Sequence, residues 1–298
     1  MPFQDTYADT TTLLESREKT LSRIDPASTP VFDDAEIESG VTAVSHSWDE
    51  DDVTPPSGIN KSVQTADYTY TTIAPTKGTN YTQLLTIADK VSYTNQAVDH
   101  PAVKDKVKDK AMYLMKKIKL DAENSMINGT KTIGSGAVAA EMGGLKAFAG
   151  AGTTVTNGAA VALTLDLFVA FQKKGWDLGA QWDRVLVNGN QKSGILDKST
   201  VPNYQRNTTK MDTLKTNWDI IETTYGTIEV IPHRTQFVAN GELIAYQKDF
   251  VKKGVIQSFQ RDMKVAPTGT AIPVAIFGEY TLIVKNAKAV GKTSNYTL

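Results

Sequence analysis

The sequence predicts an α+β fold, and three observations carry that expectation. From Tyr81 to Thr94 the residues alternate, with Tyr81, Leu85, Ile87, Val91 and Tyr93 on one face and Thr82, Thr86, Lys90, Ser92 and Thr94 on the other. Period two over this length predicts one long strand with a single buried face. From Val103 the period lengthens, and Val103, Val107, Ala111, Leu114, Ile118, Ala122 and Met126 form a stripe. That stripe predicts a helix of about seven turns ending at Asn128-Gly129. Beyond it, short strand and helix signals alternate to the end of the chain. A strand and a helix this long, back to back, suit a protein that spreads over its neighbours.

At 298 residues the chain can bury a real core and divide into roughly two domains. Apolar content of 40% and charged content of 22% are those of an ordinary globular protein. A net charge of −1 gives no global attraction for nucleic acid or a membrane surface. With no cysteine, disulfide and thiol chemistry are excluded. The opening stretch, MPFQDTYADTTTLLESREKTL, has neither a basic nor an apolar region, so no signal peptide is expected. No apolar run approaches the ~18 residues of a membrane span, so no membrane partner is expected either.

Residues 1–44 read as an N-terminal arm. Thr10-Thr11-Thr12 can cap a short helix over Leu13-Leu14-Glu15, which Ile24-Asp25-Pro26 would end. The remainder is polar, with too few apolar residues to close a core, and is either disordered or ordered by a partner, the partner being favoured. Residues 45–80 read as strand, exposed turn and returning strand, with His46 and Trp48 in the first arm and Tyr68, Tyr70 and Ile73 in the second. The expected tip is rigid and charged, made of Asp49, Glu50, Asp51, Asp52, Pro55 and Pro56. A two-stranded ribbon is marginal alone, so its faces need something to lie on.

In the long helix, Val107, Leu114 and Ile118 are the expected core positions. Gly134 to Gly158 reads as a Gly/Ala-rich connector. Thr164 should cap a helix bearing Leu165, Phe168, Val169 and Trp176 that stops at Lys173-Lys174-Gly175. Arg184 to Val187 reads as a strand closed by Asn188-Gly189. Val201 to Lys215 reads as a polar loop, and Asp219 to Ile231 as a hairpin turning at Tyr225-Gly226. Phe277 to Val290 is a last strand, with Tyr280, Leu282 and Val284 facing one way.

None of these segments presents a catalytic, cofactor-binding or metal-binding set. Gly291-Lys292-Thr293 lacks the upstream glycine and following helix of a phosphate loop, and reads as a polar tail. His46, His100 and His233 have no mutual metal-ligand spacing. No serine occupies a Gly-x-Ser-x-Gly elbow. The run Asp49 to Asp52 lacks the spaced oxygens and glycine of a calcium loop and reads as a solvated tip. Lys104, Lys106, Lys108, Lys110, Lys116, Lys117 and Lys119 are interleaved with Asp105, Asp109 and Asp121, which reads as a solvated face with i,i+4 pairs. Asn80 and Asn207 begin Asn-x-Thr triplets of the kind chance supplies in a Thr-rich chain.

The order of arm, long β-hairpin, lysine-rich helix ending in Asn-Gly, α/β unit and returning strands resembles the major capsid proteins of tailed bacteriophages, the Hong Kong 97-type fold. Segments similar to that group are Gly78–Gln83, Val91–Ala97, Trp218–Arg234 and Phe277–Asn286. The resemblance covers the chain from about residue 40 and implies a division into an arm (1–44), an extended loop (45–95), a peripheral domain with a spine helix (96–130), an axial domain (131–254) and further peripheral strands (255–298). It implies an icosahedral phage head built of hexamers and pentamers of this chain around double-stranded DNA, held non-specifically. A separate scaffolding protein, a portal and decoration proteins are the further partners implied, with synthesis in the bacterial host cytoplasm. Some members of the fold join subunits through a Lys–Asn isopeptide bond. Here Lys61, Lys77, Asn286 and Glu279 supply the residue types but no diagnostic spacing, so no cross-link is expected. The rival readings are an encapsulin-like nanocompartment, a surface-layer or adhesion protein, which the missing secretion signal disfavours, and an enzyme, for which no site presents itself.

Overall fold

The computed structural model describes residues 28–98, 103–195 and 220–297, apart from positions 54, 55, 57, 69, 71, 104, 235 and 268. The expected arm helix, Pro55, His100, Lys104, Asn207 and the polar loop 201–215 lie outside the described residues.

The fold is mixed α and β. A short helix, α1 (Pro30–Asp34), leads into strand β1 (Glu36–Glu38). Strands β2 (Ser45–Glu50) and β3 (Thr76–Tyr81) form an antiparallel ribbon, in register from Ser45 opposite Tyr81 to Glu50 opposite Thr76. There follow β4 (Gln83–Ser92), α2 (Tyr93–Ala97) and the long α3 (Lys106–Asn128). Next come α4 (Leu145–Phe148), β5 (Thr154–Ala162), α5 (Leu165–Asp177), β6 (Arg184–Asn188) and α6 (Gly189–Ile195). The chain ends with β7 (Ile220–Thr223), β8 (Gly226–His233), β9 (Leu243–Tyr246), β10 (Val251–Asp262), β11 (Ala271–Val284) and β12 (Val290–Thr297). One sheet has the order β1-β10-β11-β4 and the other β5-β12-β9-β6-β8-β7.

The long strand expected over Tyr81–Thr94 is two strands with different partners. At Thr82 the backbone N–H donates to Val44 O (2.8 Å) and the hydroxyl donates to Glu279 (2.6 Å), which turns the chain from the ribbon into the four-stranded sheet. β4 then pairs antiparallel with β11, from Gln83 opposite Tyr280 to Ser92 opposite Ala271. Its alternation is as read: Leu85 and Val91 are buried, Ile87 is half-buried, and Leu84, Thr86 and Lys90 face outward. The period ends at Ser92, whose hydroxyl accepts from Asn95 N–H and caps α2, so Tyr93 and Thr94 are helical.

The helix starts three residues later than the stripe implies, because the Asp105 carboxylate accepts from Val107 and Lys108 N–H (3.0 Å each) and sets the first turn there. Leu114, Ile118, Ala122 and Met126 are buried; Val107 and Ala111 are only half-buried near the N-terminal end. This face packs across β11 and β4, where Val274, Ile276 and Leu282 join Leu114 and Ile118 in the larger core. A second core, with Phe168, Phe171, Trp182, Val187, Ile228 and Tyr296, fills the space between α5 and the six-stranded sheet.

The second half departs from the sequence reading in several places. The connector contains α4 and the start of β5, and its Met142 and Leu145 are fully buried. Helix α5 continues through Gly175, and Trp176, expected on the apolar face, is 55% exposed while Phe171 and Gln172 take the buried positions. The Phe277–Val290 strand begins earlier and stops at Val284; a 3-10 turn at Ala287–Ala289 then redirects the chain. β12 runs parallel to β5 and antiparallel to β9, so 290–297 belong to the six-stranded sheet and not with β10 and β11. Gly291-Lys292-Thr293 is therefore strand interior and no tail. The Tyr225-Gly226 hairpin stands as read, with Ile221 opposite Ile228.

Trp182 explains two glycines. Its indole lies between α5 and β12, and a Cβ at Gly175 would sit 2.7 Å from the ring, while one at Gly291 would overlap it. The ring nitrogen donates to Lys288 O (3.0 Å), which fixes the plane. Gly291→Ala is accordingly expected to lower stability by about 1–3 kcal/mol through overpacking, read as a lower urea midpoint with a shifted Trp emission.

Candidate assembly surfaces

The features that bear on function are surfaces and the contacts that position them. Beyond the paired ribbon, Val53, Ile59, Val63, Tyr68, Tyr70 and Ile73 are each between 74% and 97% exposed. Single exposed apolar residues are ordinary, but six along one loop are a surface awaiting cover.

The ribbon's root is fixed by Asn80, which is fully buried. Its amide donates to Leu282 O (2.6 Å) and Gly143 O (3.0 Å), and its carbonyl oxygen accepts from Gly143 N–H (2.8 Å) and Tyr81 N–H (2.9 Å). The side chain's hydrogen-bonding capacity is thus filled, and one residue ties ribbon, β11 and the segment after α3. Lys131 Nζ donates to Thr79 (2.6 Å), and Trp48 packs on Phe148 with ring centroids 5.9 Å apart.

The acidic run is not the free, solvated tip that the sequence suggests. Asp52 accepts from Asn286 Nδ2 (2.8 Å) and pairs with Lys288 Nζ (3.0 Å). Glu50 accepts from Trp48 Nε1 (3.0 Å) and Ala287 N–H (3.4 Å). Asp49, Asp51 and Pro56 are exposed. The run therefore marks where the loop is tethered to the 286–288 turn, because that turn offers an amide, an ammonium and a backbone donor together. The Asn286 hydrogen bond, then the Lys288 ammonium, holds the Asp52 carboxyl below its ordinary value. A depressed carboxylate stabilises above its unfolded pKa, and that contribution is lost as pH falls through the folded value. The tether should therefore weaken below about pH 4. Asp52→Ala should cost no more than about 1 kcal/mol, since the pair is exposed; faster amide exchange across 50–53, with little change in melting, is the expected readout.

The segment taken as the end of a polar arm is docked. Val31, Phe32, Ala35 and Val41 are buried. β1 extends the four-stranded sheet in parallel with β10, from Glu36 opposite Lys252 to Glu38 opposite Gly254. Glu123 of α3, fully buried, accepts from Val31 N–H (3.0 Å), Phe32 N–H (2.7 Å) and His233 Nε2 (3.0 Å). Arg234 N–H donates to His233 Nδ1 (2.9 Å), so the imidazole proton is on Nε2 and points at the carboxylate. Asp34 bridges Lys248 (2.8 Å) and Arg184 (3.2 Å), and Arg184 also pairs with Glu229. Lys253 donates to Phe32 O (2.6 Å) with its ammonium 4.4 Å from the Phe32 ring centre, and burial lowers its pKa. The sequence reading missed Glu123, His233 and Asn80; the available signal was a carboxylate beside Ala122 on the buried stripe.

Among the helix lysines, Lys110 pairs across to Asp89 of β4 (2.7 Å), and Lys106 reaches Asn95 and Val98 O (2.9 Å to the latter), so these two reach off the helix. Among the described residues no group of three or more His, Cys, Asp or Glu could hold a metal ion. Asn286 caps the 3-10 turn by accepting from Lys288 N–H (2.8 Å), while Glu279 accepts from Thr82.

Solved structures share this fold over nearly the whole chain. The cyanophage A-1(L) capsid asymmetric unit superposes with a TM-score of 0.70 at 11% identity, covering 99% of this chain and 100% of that one. A chain of Microbacterium phage Oxtober96 gives 0.67 at 11% identity, covering 96% of each. The holo-SrpI encapsulin of Synechococcus elongatus PCC 7942 gives 0.59 at 12% identity, covering 99% and 96%. The fold is the Hong Kong 97-type capsid fold. No curated protein sequence matches the chain. The SU10 major capsid protein family matches residues 4–297, and the chain belongs to that family. Its role is structural, in the phage head.

Proposed function

We propose that this protein self-assembles into hexamers and pentamers of an icosahedral head that encloses double-stranded DNA. The observation that carries this reading is the loop 53–73, whose six apolar side chains have no cover in the single subunit. Repeated symmetric copies would bury them, because each loop can lie on the next subunit. In this arrangement α3 and the four-stranded sheet form the peripheral part, and the six-stranded sheet, including β12, forms the axial part around the five- and sixfold axes. Contacts with DNA are non-specific and fade with salt. The protein performs no catalysis, is made in the host cytoplasm, and works with a separate scaffolding protein, a portal and decoration proteins. Shell stability rests on interlocked loops and buried area and not on an isopeptide bond.

Deleting Val53–Thr72 should leave a soluble subunit and abolish shells in negative-stain micrographs; normal capsids from the deletion would overturn the proposal. The SrpI likeness keeps a second reading in view, a nanocompartment shell. DNA within purified particles favours the phage head, and protein cargo favours the compartment.

A further inference from the structure

We propose that residues 29–38 are a strap that each subunit seats in its own body, with Glu123 as the receptor for its backbone, and that copies do not exchange it. Among the described residues, the strap's Val31 and Phe32 join a core formed with elements far along the chain. The strap's fixed points are Glu123, Lys248, Lys252 and Lys253, all far along the chain. Such contacts could equally be made by the strap of a second copy, as in domain swapping. What decides for self-seating is the connection to the ribbon. Glu38 lies opposite Gly254, where the Val41 side chain packs so closely that a Cβ at 254 would overlap it. Val44 O accepts from Thr82 N–H of the same subunit (2.8 Å), and Ser45 opens the ribbon rooted at Asn80. Residues 29–38 and 45–50 are thus docked on one body, and the short exposed link between them is pinned at Val41. Gly40, with φ of 99°, makes a tight turn between the two anchored stretches, which keeps the link between them short.

Glu123 gives the seat its selectivity. It accepts from two consecutive backbone N–H groups, so it reads the first turn of α1 and not a side chain. His233 holds the same carboxylate from the other side. Without the strap the carboxylate would lose two of its three donors and would have to recover them from water. The subunit is therefore incomplete until the strap is seated, and seating precedes assembly.

The absence of native cysteine makes this testable in the full chain. Glu36 and Lys252 are opposite in the parallel register and ion-paired, so E36C/K252C places two thiols together. Free subunits and assembled shells are oxidised separately and run on a non-reducing denaturing gel. The expected result is an intrachain disulfide, and a monomer band, in both. A ladder of interchain products from shells would overturn self-seating, and failure of free subunits to form the disulfide would overturn the seat. Glu123→Gln in this background retains volume but turns one acceptor into a donor. The effective concentration of the two thiols, measured against glutathione, should fall at least tenfold; an unchanged value would remove Glu123 as receptor. The shell arm rests on the capsid reading, whose failure would show separately as an absence of particles, while the free-subunit arm stands without it.

Discussion

Glu123→Ala is expected to destabilise the free subunit by about 3–5 kcal/mol, because several buried donors lose their acceptor at once. The carboxylate is the common acceptor for Val31 N–H, Phe32 N–H and His233 Nε2, and truncation leaves three donors facing a void. Each stranded donor costs about 1–3 kcal/mol when water does not reach it. The fully buried site offers solvent little access, so most of that cost should persist. The loss should also be local before it is global: protease sensitivity and amide exchange across 29–38 should rise at urea concentrations where the six-stranded sheet is still protected. A urea midpoint and strap protection equal to the wild type would show that packing of Val31 and Phe32 alone holds the segment.

What could be read in the sequence was what repeats locally. The stripe on α3 and the alternation in β4 are legible because each buries one face against one partner layer, and periodicity records that directly. The β7–β8 hairpin was legible because its turn and both strands are neighbours in sequence. Features that depend on distant partners were not. Glu123 is one carboxylate among many on a helix rich in lysine and aspartate, and only the docking of residues 92 and 91 positions away makes it a receptor. Asn80 stands in a Thr/Asn-rich stretch, and its bonds to Gly143 and Leu282 leave no local trace. β10 was obscured by register shifts at Val255/Gln257 and Gln257/Gln260 that break its alternation. The acidic run looked like a solvated tip because its partners, Asn286 and Lys288, lie more than two hundred residues later. β12 read as tail for the same reason, since its polar residues gain a place only beside β5 and β9.

Leu114→Ala and Ile118→Ala should each cost about 2–5 kcal/mol, the range for removing a large aliphatic side chain from a closed core. Both sit mid-stripe on α3, almost fully buried against the β11 and β4 layer with Val274, Ile276 and Leu282. The helix is anchored at both ends, at its N-terminus by the Asp105 cap and at its C-terminus by Asn128, which donates to Phe237 O (2.9 Å). It therefore cannot slide to fill the space, so cavity cost adds to the lost transfer energy. Val107→Ala is the internal comparison: Val107 is half-buried in the first helical turn, and its loss should cost no more than about 1 kcal/mol. The double variant should fall short of the sum of the singles, because residues four apart share one cavity and couple. This ordering, with Leu114 and Ile118 far above Val107, separates a spine that holds the two layers together from a helix that merely lies on them. Urea titration of the free subunits supplies the numbers, and equal midpoints for all three variants would show that the stripe is not core.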